Sequence, residues 1–519
     1  MFRTLRSLAR LTAIIRSLSR HNALFLLSLH PTGDLTARVA RILFPPQDNI
    51  QGLRPGQRLA AALTELGPTF IKFGQALSTR ADLLSEGVAA DLSELQDRLP
   101  PFPGPQARAA IETEFERPLE ALFSSFDETA VAAASIAQVH FARTTDGEEV
   151  AVKVLRPGIA EAFSRDLDLF LWLAGWAERL HPPLRRLKPT EIVQTLAEVV
   201  RFEMDLRLEA AAGSELRENF AGDPSFHVPR IDWQRTGRGV LTLARIAGIR
   251  VDDRAALLAA GHRIDRLLAN AAGAFFNQVF RDGFFHADMH PGNMFVDASG
   301  AIVVVDFGIM GRLDRATRYY LADMLTGFLS GDYRRVAEVH FAAGYVPSDR
   351  SVDAFTQACR AIGEPILGRR LEDISVARLL AQLFRVTEQF GMETQPQLLL
   401  LQKTMVLVEG VGRRLDPEVN IWALSRPLIE AWMRDNRGPE AQLRQRLETI
   451  VDMLDRLPRV LEKLENFVED TAREGVLLHA RSIVSHAEEQ AKRAWLAVLP
   501  AYIAAAALVA IALTLVFRR

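Results

Sequence analysis

A single cysteine, Cys359, stands among 519 residues, so no internal disulfide can form and no thiolate zinc cluster can be built. No short catalytic-cysteine pattern surrounds it, and it reads as a buried helical residue. Excess charge of one sign is lacking too. Lys and Arg number 62 against 64 Asp and Glu, and the net −2 gives nucleic acid no electrostatic footing. No G-x-G-x-x-G occurs, which removes both the dinucleotide fingerprint and the usual glycine loop over a nucleotide. With no cysteine- or histidine-rich iron site either, direct redox chemistry has no apparatus. No internal repeat or low-complexity segment stands out. Hydrophobic content of 49% with 24% charge is that of a globular chain long enough for two or three domains.

The two ends differ. Trp495 to Phe517 is a run of 23 residues without a charge, bracketed by Lys492-Arg493 and Arg518-Arg519. That length crosses a bilayer core of about 30 Å, with Trp495 and Tyr502 as interface residues and Pro500 tolerated near one end. Only two residues follow the span, so the bulk lies on one side. At the other end Arg3, Arg6, Arg10, Arg16 and Arg20 alternate with Leu5, Leu8, Ile14, Ile15 and Leu18, and no acid precedes Asp34. The pattern predicts a basic amphipathic helix on an anionic leaflet, with an organellar targeting peptide as the alternative.

The chemistry concentrates in His286-Ala-Asp288-Met-His290-Pro-Gly-Asn293, followed by Asp306-Phe-Gly308. Asp288 and Asn293 keep the offset of a kinase catalytic loop, in which an Asp serves as base and an Asn five residues on holds a metal. Ala301 to Val305 is a short buried strand that delivers Asp306. Asn293 and Asp306 supply the hard oxygen ligands that Mg²⁺ on a triphosphate requires. In Glu149-Val-Ala-Val-Lys153-Val-Leu the alternation sets Lys153 on the face opposite Val152 and Val154, where a phosphate-binding lysine belongs. Thr144-Thr-Asp-Gly147 turns this strand back on Ala137 to Arg143. Where a glycine loop would lie stand Ala132, Ala133, Ala134 and Ser135. Alanine avoids positive φ and its methyl keeps backbone from phosphate, which leaves the Ser135 hydroxyl and backbone amides as donors. Glu203 and Glu209, six residues apart, point to different faces of a helix and cannot share one task. His286 and His290 are not a metal pair, because Pro291 and Gly292 end any helix there, and one His braces the loop.

These motifs together resemble the UbiB family of atypical, protein-kinase-like proteins linked to ubiquinone synthesis. Gly67-Pro-Thr-Phe-Ile-Lys72-Phe-Gly-Gln75-Ala-Leu-Ser-Thr-Arg80 is similar to the family's K-x-G-Q helix, the alanine loop to its replacement for the glycine loop, and Glu203-Met-Asp205 to its E-x-D motif. Leu95 to Pro101 and Glu409-Gly-Val-Gly-Arg413 are family-like as well, and the likeness covers roughly residues 50 to 420. It implies ATP and Mg²⁺ as cofactors and Glu209 as the partner of Lys153. It also implies a K-x-G-Q extension over the site, where Lys72 and Gln75, on one helix face, reach a phosphate or the E-x-D carboxylates. After Gly239 to Leu243 this chain has Ala244-Arg245-Ile246 where relatives tend to show glutamate, so backbone at Ala244 and Ile246 is left to read adenine. No A-P-E triplet follows Asp306-Phe-Gly308, and the anchor of a peptide-docking loop is unrecognisable.

The expected fold is α+β and mainly helical, a two-lobed kinase-like body with a helical N-terminal extension and a C-terminal transmembrane helix. The expected segments are 1–33 at the membrane surface, 34–125 as the K-x-G-Q extension, and 126–250 as a small lobe with a helical insertion. A large lobe at 251–430, an amphipathic region at 431–494 and the span at 495–517 follow. Leu447, Ile450, Leu454, Leu457, Leu461, Leu464 and Phe467 form the packing stripe of that amphipathic region. The leading functional expectation is an ATP-dependent phosphotransferase or ATPase on a bacterial inner membrane, its bulk cytoplasmic. Its partners would be a membrane lipid or quinone precursor and other quinone-synthesis enzymes. A nucleotide-binding scaffold or chaperone is the alternative.

Overall fold

The computed structural model describes residues 2–25, 38–47, 52–78, 86–93, 95, 99–180, 189–365, 386, 389–392, 395–419 and 421–437. The expected amphipathic stripe at 447–467 and the expected span at 495–517 lie outside the described residues. Among the described residues no helix is long and apolar enough to cross a membrane.

Proline opens several helices where its missing N–H costs nothing. Helix α1 spans Phe2–Arg20, α2 Pro55–Leu66, α3 Pro68–Ser78 and α4 Glu86–Ser93. Between α2 and α3 only Gly67 intervenes, at φ 102°, a conformation that suits glycine. Helix α3 buries Phe70 and Ile71 against Leu59, Leu63 and Leu92. The same core takes in Phe163, Phe170, Leu196 and Val200 from a later helical insertion, and the Phe70 and Phe170 rings meet edge to face at 5.1 Å. Each such buried ring contributes about 2 kcal/mol of transfer free energy.

The basic helix α1 corrects one expectation. Ile14 and Ser17 are buried, Ser17 Oγ donates to the Ala62 carbonyl at 3.2 Å, and Arg10 makes a two-pronged pair with Asp166 at 2.7 and 2.8 Å. The inward stripe of its second half therefore covers protein rather than lipid. Arginines beside leucines read alike in both settings, because each needs one apolar stripe and one cationic margin.

The small lobe begins earlier than residue 126. Helix α5, Gly104–Phe115, packs on a sheet whose first strand is β1, Phe123–Phe126. Strands β2 (Ala132–Ala133), β3 (Ala137–Thr144), β4 (Glu149–Leu155) and, after the insertion, β6 (Val240–Ala244) complete it in the order β1-β3-β4-β6, with β2 on β3. The insertion is α6, Ile159–Leu180, and α7, Pro189–Glu203. Then α8, Leu206–Asn219, and β5, Phe226–His227, precede β6. Alternation decides what β4 faces. Val150, Val152 and Val154 pack with Ile111 and Leu119, while Ala151 on the other face meets Leu206 and Ala210 of α8. Lys153 shares the face of Ala151 and so emerges under α8.

The large lobe carries β7 (Ile249–Arg250), α9 (Arg254–Ala259), α10 (Ile264–Phe276), β8 (Phe284–His286), β9 (Met294–Val296), β10 (Ile302–Val304) and β11 (Met310–Arg312). These form a sheet ordered β5-β10-β9-β7 and a pair β11-β8. Helices α11 (Arg315–Ser330), α12 (Tyr333–Ala342) and α13 (Val352–Gly363) start on the carboxylates of Asp314 and Asp332 and the hydroxyl of Ser351, each accepting a first-turn N–H. Helices α14, Pro396–Leu415, and α15, Ile421–Arg437, follow.

Candidate active site

The chain between Glu203 and Glu209 is not one helix. Helix α7 ends at Glu203, and Asp205 at φ −125° caps α8 by accepting from the Arg207 N–H. This break lets the two carboxylates serve different lysines. Glu209 takes Lys153 Nζ at 2.8 and 3.0 Å, and Glu203 takes Lys72 Nζ at 3.1 and 2.9 Å. Asp205 does not share the second pair. Its carboxylate holds the Arg207 guanidinium at 2.8 and 2.6 Å, so it works as a cap and local ion pair, not as a partner of Lys72. Gln75 also departs from expectation, because its amide donates to the Leu95 carbonyl at 3.3 Å.

Lys153 has a second carboxylate, Asp306 Oδ1 at 3.1 Å. Asp306 stands at φ 66°, a left-handed conformation that costs a non-glycine residue about 1–3 kcal/mol and that Asp tolerates better than most. One ammonium between two carboxylates shapes the acidities. Burial alone would lower Lys153, but Asp306 and Glu209 overrule it and hold the lysine well above its ordinary value. Glu209 is pushed up to about 7 by burial and by the Asp306 charge, against the pull of Lys153. Asp306 is half exposed; its lost solvation would raise it, and Lys153, with help from Lys72, holds it below the usual range instead. Lys72 is thus among the charges that act on Asp306, which sets the K-x-G-Q helix α3 near that carboxylate. Phe307 is buried against α8, and an added Cβ at Gly213, one turn beyond Glu209, would stand 2.8 Å from its ring.

The catalytic-loop motif is braced by His286, which is fully buried. Its Nδ1 accepts from the Asp288 N–H at 3.1 Å and its Nε2 faces the Val305 carbonyl at 3.1 Å. These partners define a neutral ring with its proton on Nε2, and burial keeps its pKa below the ordinary value. One side chain thereby joins the loop to the residue before Asp306. Asn293 donates its amide N–H to the Asp288 carbonyl at 3.1 Å, which leaves the amide oxygen as the group to offer a cation. That oxygen and the Asp306 carboxylate fit Mg²⁺ on a polyphosphate, with the phosphates supplying further oxygens. Among the described residues there is no cluster of three His, Cys, Asp or Glu side chains suited to a metal by itself.

Around the alanine loop the expected donors are partly occupied. Ala132 and Ala133 pair with Val139 and Gln138, and the Ala134 N–H donates to the Ala137 carbonyl at 2.8 Å. The Ala134 carbonyl accepts from Arg156 at 2.9 Å, and that guanidinium also reaches the Pro100 carbonyl at 2.8 Å. Ser135 is fully buried with its hydroxyl unpartnered, so it does not face the cleft as a ready phosphate donor. At the linker the Ala244 N–H donates to the Arg230 carbonyl and the Arg245 N–H to Glu149. Ala244 therefore offers adenine no donor, while Ile246 stands half-buried just beyond. Arg245 lies 3.9 Å over the Phe141 ring, turned back onto the sheet.

Sequence reasoning missed Lys403. Its Nζ donates to Asp288 Oδ1 at 2.9 Å from helix α14. Its only signal was a cation next to the apolar run Leu398 to Leu401, which also suits a surface lysine.

The family model of the ABC1 atypical kinase-like domain matches residues 94–340, and that of the UbiB helical domain matches 359–420. Proteins named "Probable protein kinase UbiB" from Marinobacter nauticus and Azotobacter vinelandii are 45% and 43% identical over 79% and 80% of this chain, and 75% and 78% of theirs. The solved Rv3197–erythromycin complex from Mycobacterium tuberculosis is similar over 77% of this chain and 97% of that one, at 26% identity and a TM-score of 0.51. Fold and motifs define an atypical kinase-like protein. Within that class, the chain belongs to the UbiB family.

Proposed function

We propose that this chain is a membrane-anchored, MgATP-dependent atypical kinase or ATPase that supports ubiquinone synthesis and passes phosphate to water or a non-peptide acceptor. The observation that carries the proposal is Lys153 held between Glu209 and Asp306, beside a loop that presents Asp288 and Asn293. On this reading Lys153 binds phosphate oxygens, Asp306 and Asn293 hold Mg²⁺, and Asp288 accepts the proton of the attacking hydroxyl. The metal, when bound, offsets charge on the phosphates. Lys72, ion-paired to Glu203, is among the charges that keep Asp306 ionised. Ile246 backbone reads the base.

Residues 495–517 would anchor the chain in a bacterial inner membrane with its bulk in the cytoplasm, where ATP is found, and a lipid or quinone precursor and other synthesis enzymes would be its partners. A nucleotide-binding scaffold is the second reading, favoured by Ser135, whose hydroxyl is buried away from the site.

The test uses the full chain in detergent or lipid. Wild type should gain thermal stability with MgATP and hydrolyse it faster with quinone-like lipid, and Asp306→Asn should lose most of that thermal shift. An unchanged shift in the variant refutes the metal assignment, and binding without turnover favours the scaffold. Removing residues 495–519 should move the protein to the soluble fraction; membrane retention that salt does not weaken would refute the anchor.

A further inference from the structure

We infer that Lys403, delivered by helix α14, is a catalytic residue on the acceptor side of the phosphoryl-transfer site and binds an oxygen of the γ-phosphate. The inference rests on the kinase reading of Asp288 and deepens it.

Stretches that flank the reacting phosphate in this chain are short of cations. The loop from His286 to Asn293 has no Lys or Arg, and neither does the alanine loop from Ala130 to Ser135. Yet the transferring phosphoryl group spreads negative charge over its equatorial oxygens, and fixed cations aimed there are a main source of rate. Lys153 is engaged by Glu209 and Asp306, on the side where the nucleotide's own phosphates and metal would sit. On the acceptor side, the described residues place Lys403 against the proposed base.

A base must lie within hydrogen-bond reach of the hydroxyl it deprotonates, and that hydroxyl must lie in line with the γ-phosphorus. Lys403 Nζ is 2.9 Å from Asp288 Oδ1, so it stands within one side-chain swing of the same phosphorus. An ammonium has three N–H donors, and the contact with Asp288 engages one. The side chain is about half exposed at 49%, which leaves the others room to meet a ligand.

Helix α14 is well placed to hold the residue still. Leu401, Thr404, Val408, Val411 and Leu415 are buried along one stripe. Val408, Val411 and Leu415 line an apolar pocket with Leu267, Leu268 and Ala271 of α10. Arg254 of α9 donates to the Leu415 carbonyl at 2.8 Å and ties down the far end. Lys403 stands beside that stripe rather than on it. The helical domain thus completes the site, and the kinase-like domain alone would lack its acceptor-side cation.

In the step itself the acceptor oxygen bonds to the γ-phosphorus and its proton passes to Asp288. The bond from that phosphorus to the bridging oxygen breaks, and its electron pair leaves on ADP. Lys403 stays protonated throughout and neutralises the phosphoryl oxygens.

The experiment compares affinities of the full chain for MgADP and for the Mg complex of a non-hydrolysable ATP analogue by calorimetry. Lys403→Met should weaken the analogue about tenfold, the size of one charge-assisted hydrogen bond, and leave MgADP unchanged. Lys403→Arg should keep most of the analogue's affinity. Because the loss of Lys403 also bares a carboxylate near the phosphate, the comparison is repeated in Asp288→Asn. A penalty that persists there supports contact with the phosphate; one that vanishes shows that Lys403 only neutralises Asp288 and overturns the inference. Equal losses for both nucleotides, or none, overturn it as well. Asp306→Asn that binds both nucleotides like wild type refutes the metal assignment alone, whereas a wild type that binds neither refutes both.

Discussion

Lys72 and Glu203 are 131 residues apart in the chain, and Lys72 Nζ lies 2.9 Å from Glu203 Oε2 with both side chains nearly buried. The pair fastens the N-terminal extension to the helical insertion just before the chain turns to bring Glu209 under Lys153. Removing one partner strands a charge in a low-dielectric setting. Lys72→Met should therefore cost about 3 kcal/mol, and Lys72→Met with Glu203→Gln should recover a large part of it. Denaturant unfolding of the two variants checks this. A double variant no more stable than the single one would show that the pair is not what joins the two parts.

Glu209 predicts a dependence on pH. Its carboxyl binds a proton more tightly in the folded chain, at about 7, than in the unfolded chain, at its ordinary 4.5. The resulting stability is fully present below 4.5 and is lost as pH rises through about 7. Asp306 acts oppositely, since its lowered pKa gives stability above 3.8 that is lost on acidification. Glu209→Gln removes the first contribution alone. Between pH 5 and pH 8 the nucleotide-free wild type should lose stability relative to this variant, as measured by melting temperature. A constant difference would place the proton elsewhere.

Much of this site was legible in the sequence because its signals are local. The valines at 150, 152 and 154 fix which face of β4 carries Lys153, and the spacing from Asp288 to Asn293 survives in the loop. Of the contacts between side chains far apart in sequence, Lys153 with Glu209 and Lys72 with the E-x-D carboxylate Glu203 followed from the family resemblance, and those that no motif carries were not legible. Nothing at Met204 signals a helix end, since no Gly or Pro stands there, and only Asp205 as a cap hints at it. Without that break, Glu203 and Glu209 look like rivals for one lysine. Lys403 was hidden for the converse reason: a lysine beside a leucine run is ordinary, and only the packing of α14 on α10 turns it toward Asp288. Arg10 in α1 looked like a lipid contact until Asp166 supplied its partner.

Gly213 sets a steric limit on the cleft. A methyl there would stand 2.8 and 3.0 Å from Phe307 ring atoms, closer than such contacts allow. In an exposed helix the change from Gly to Ala gains about 0.5–1 kcal/mol, but overpacking at a buried ring costs about 1–3 kcal/mol. Gly213→Ala should be neutral to mildly destabilising while MgATP affinity falls, because Phe307 moves and takes Asp306 with it. Calorimetry set beside thermal unfolding separates the two effects. Wild-type affinity in this variant would mean that Phe307 yields without disturbing its neighbour.

Peptide phosphorylation should be inefficient, and the reason lies after Asp306. From Gly308 the chain passes through β11, paired to β8, and Asp314 already caps α11, so the intervening segment is too short to build a peptide platform. On the opposite side α3 brings Lys72 close enough to Asp306 for its charge to be felt there. A peptide needs an extended surface on at least one of these sides, whereas water or a compact headgroup needs only access to Asp288, which is partly exposed. Intact protein in lipid should therefore turn over ATP while leaving a broad peptide library unlabelled. Opening the extension with Lys72→Met should raise peptide labelling more than it raises hydrolysis, if α3 is the obstacle. Robust labelling of peptides by the unmodified chain would overturn the argument, and labelling equally weak in both proteins would shift the obstruction to the short segment before α11.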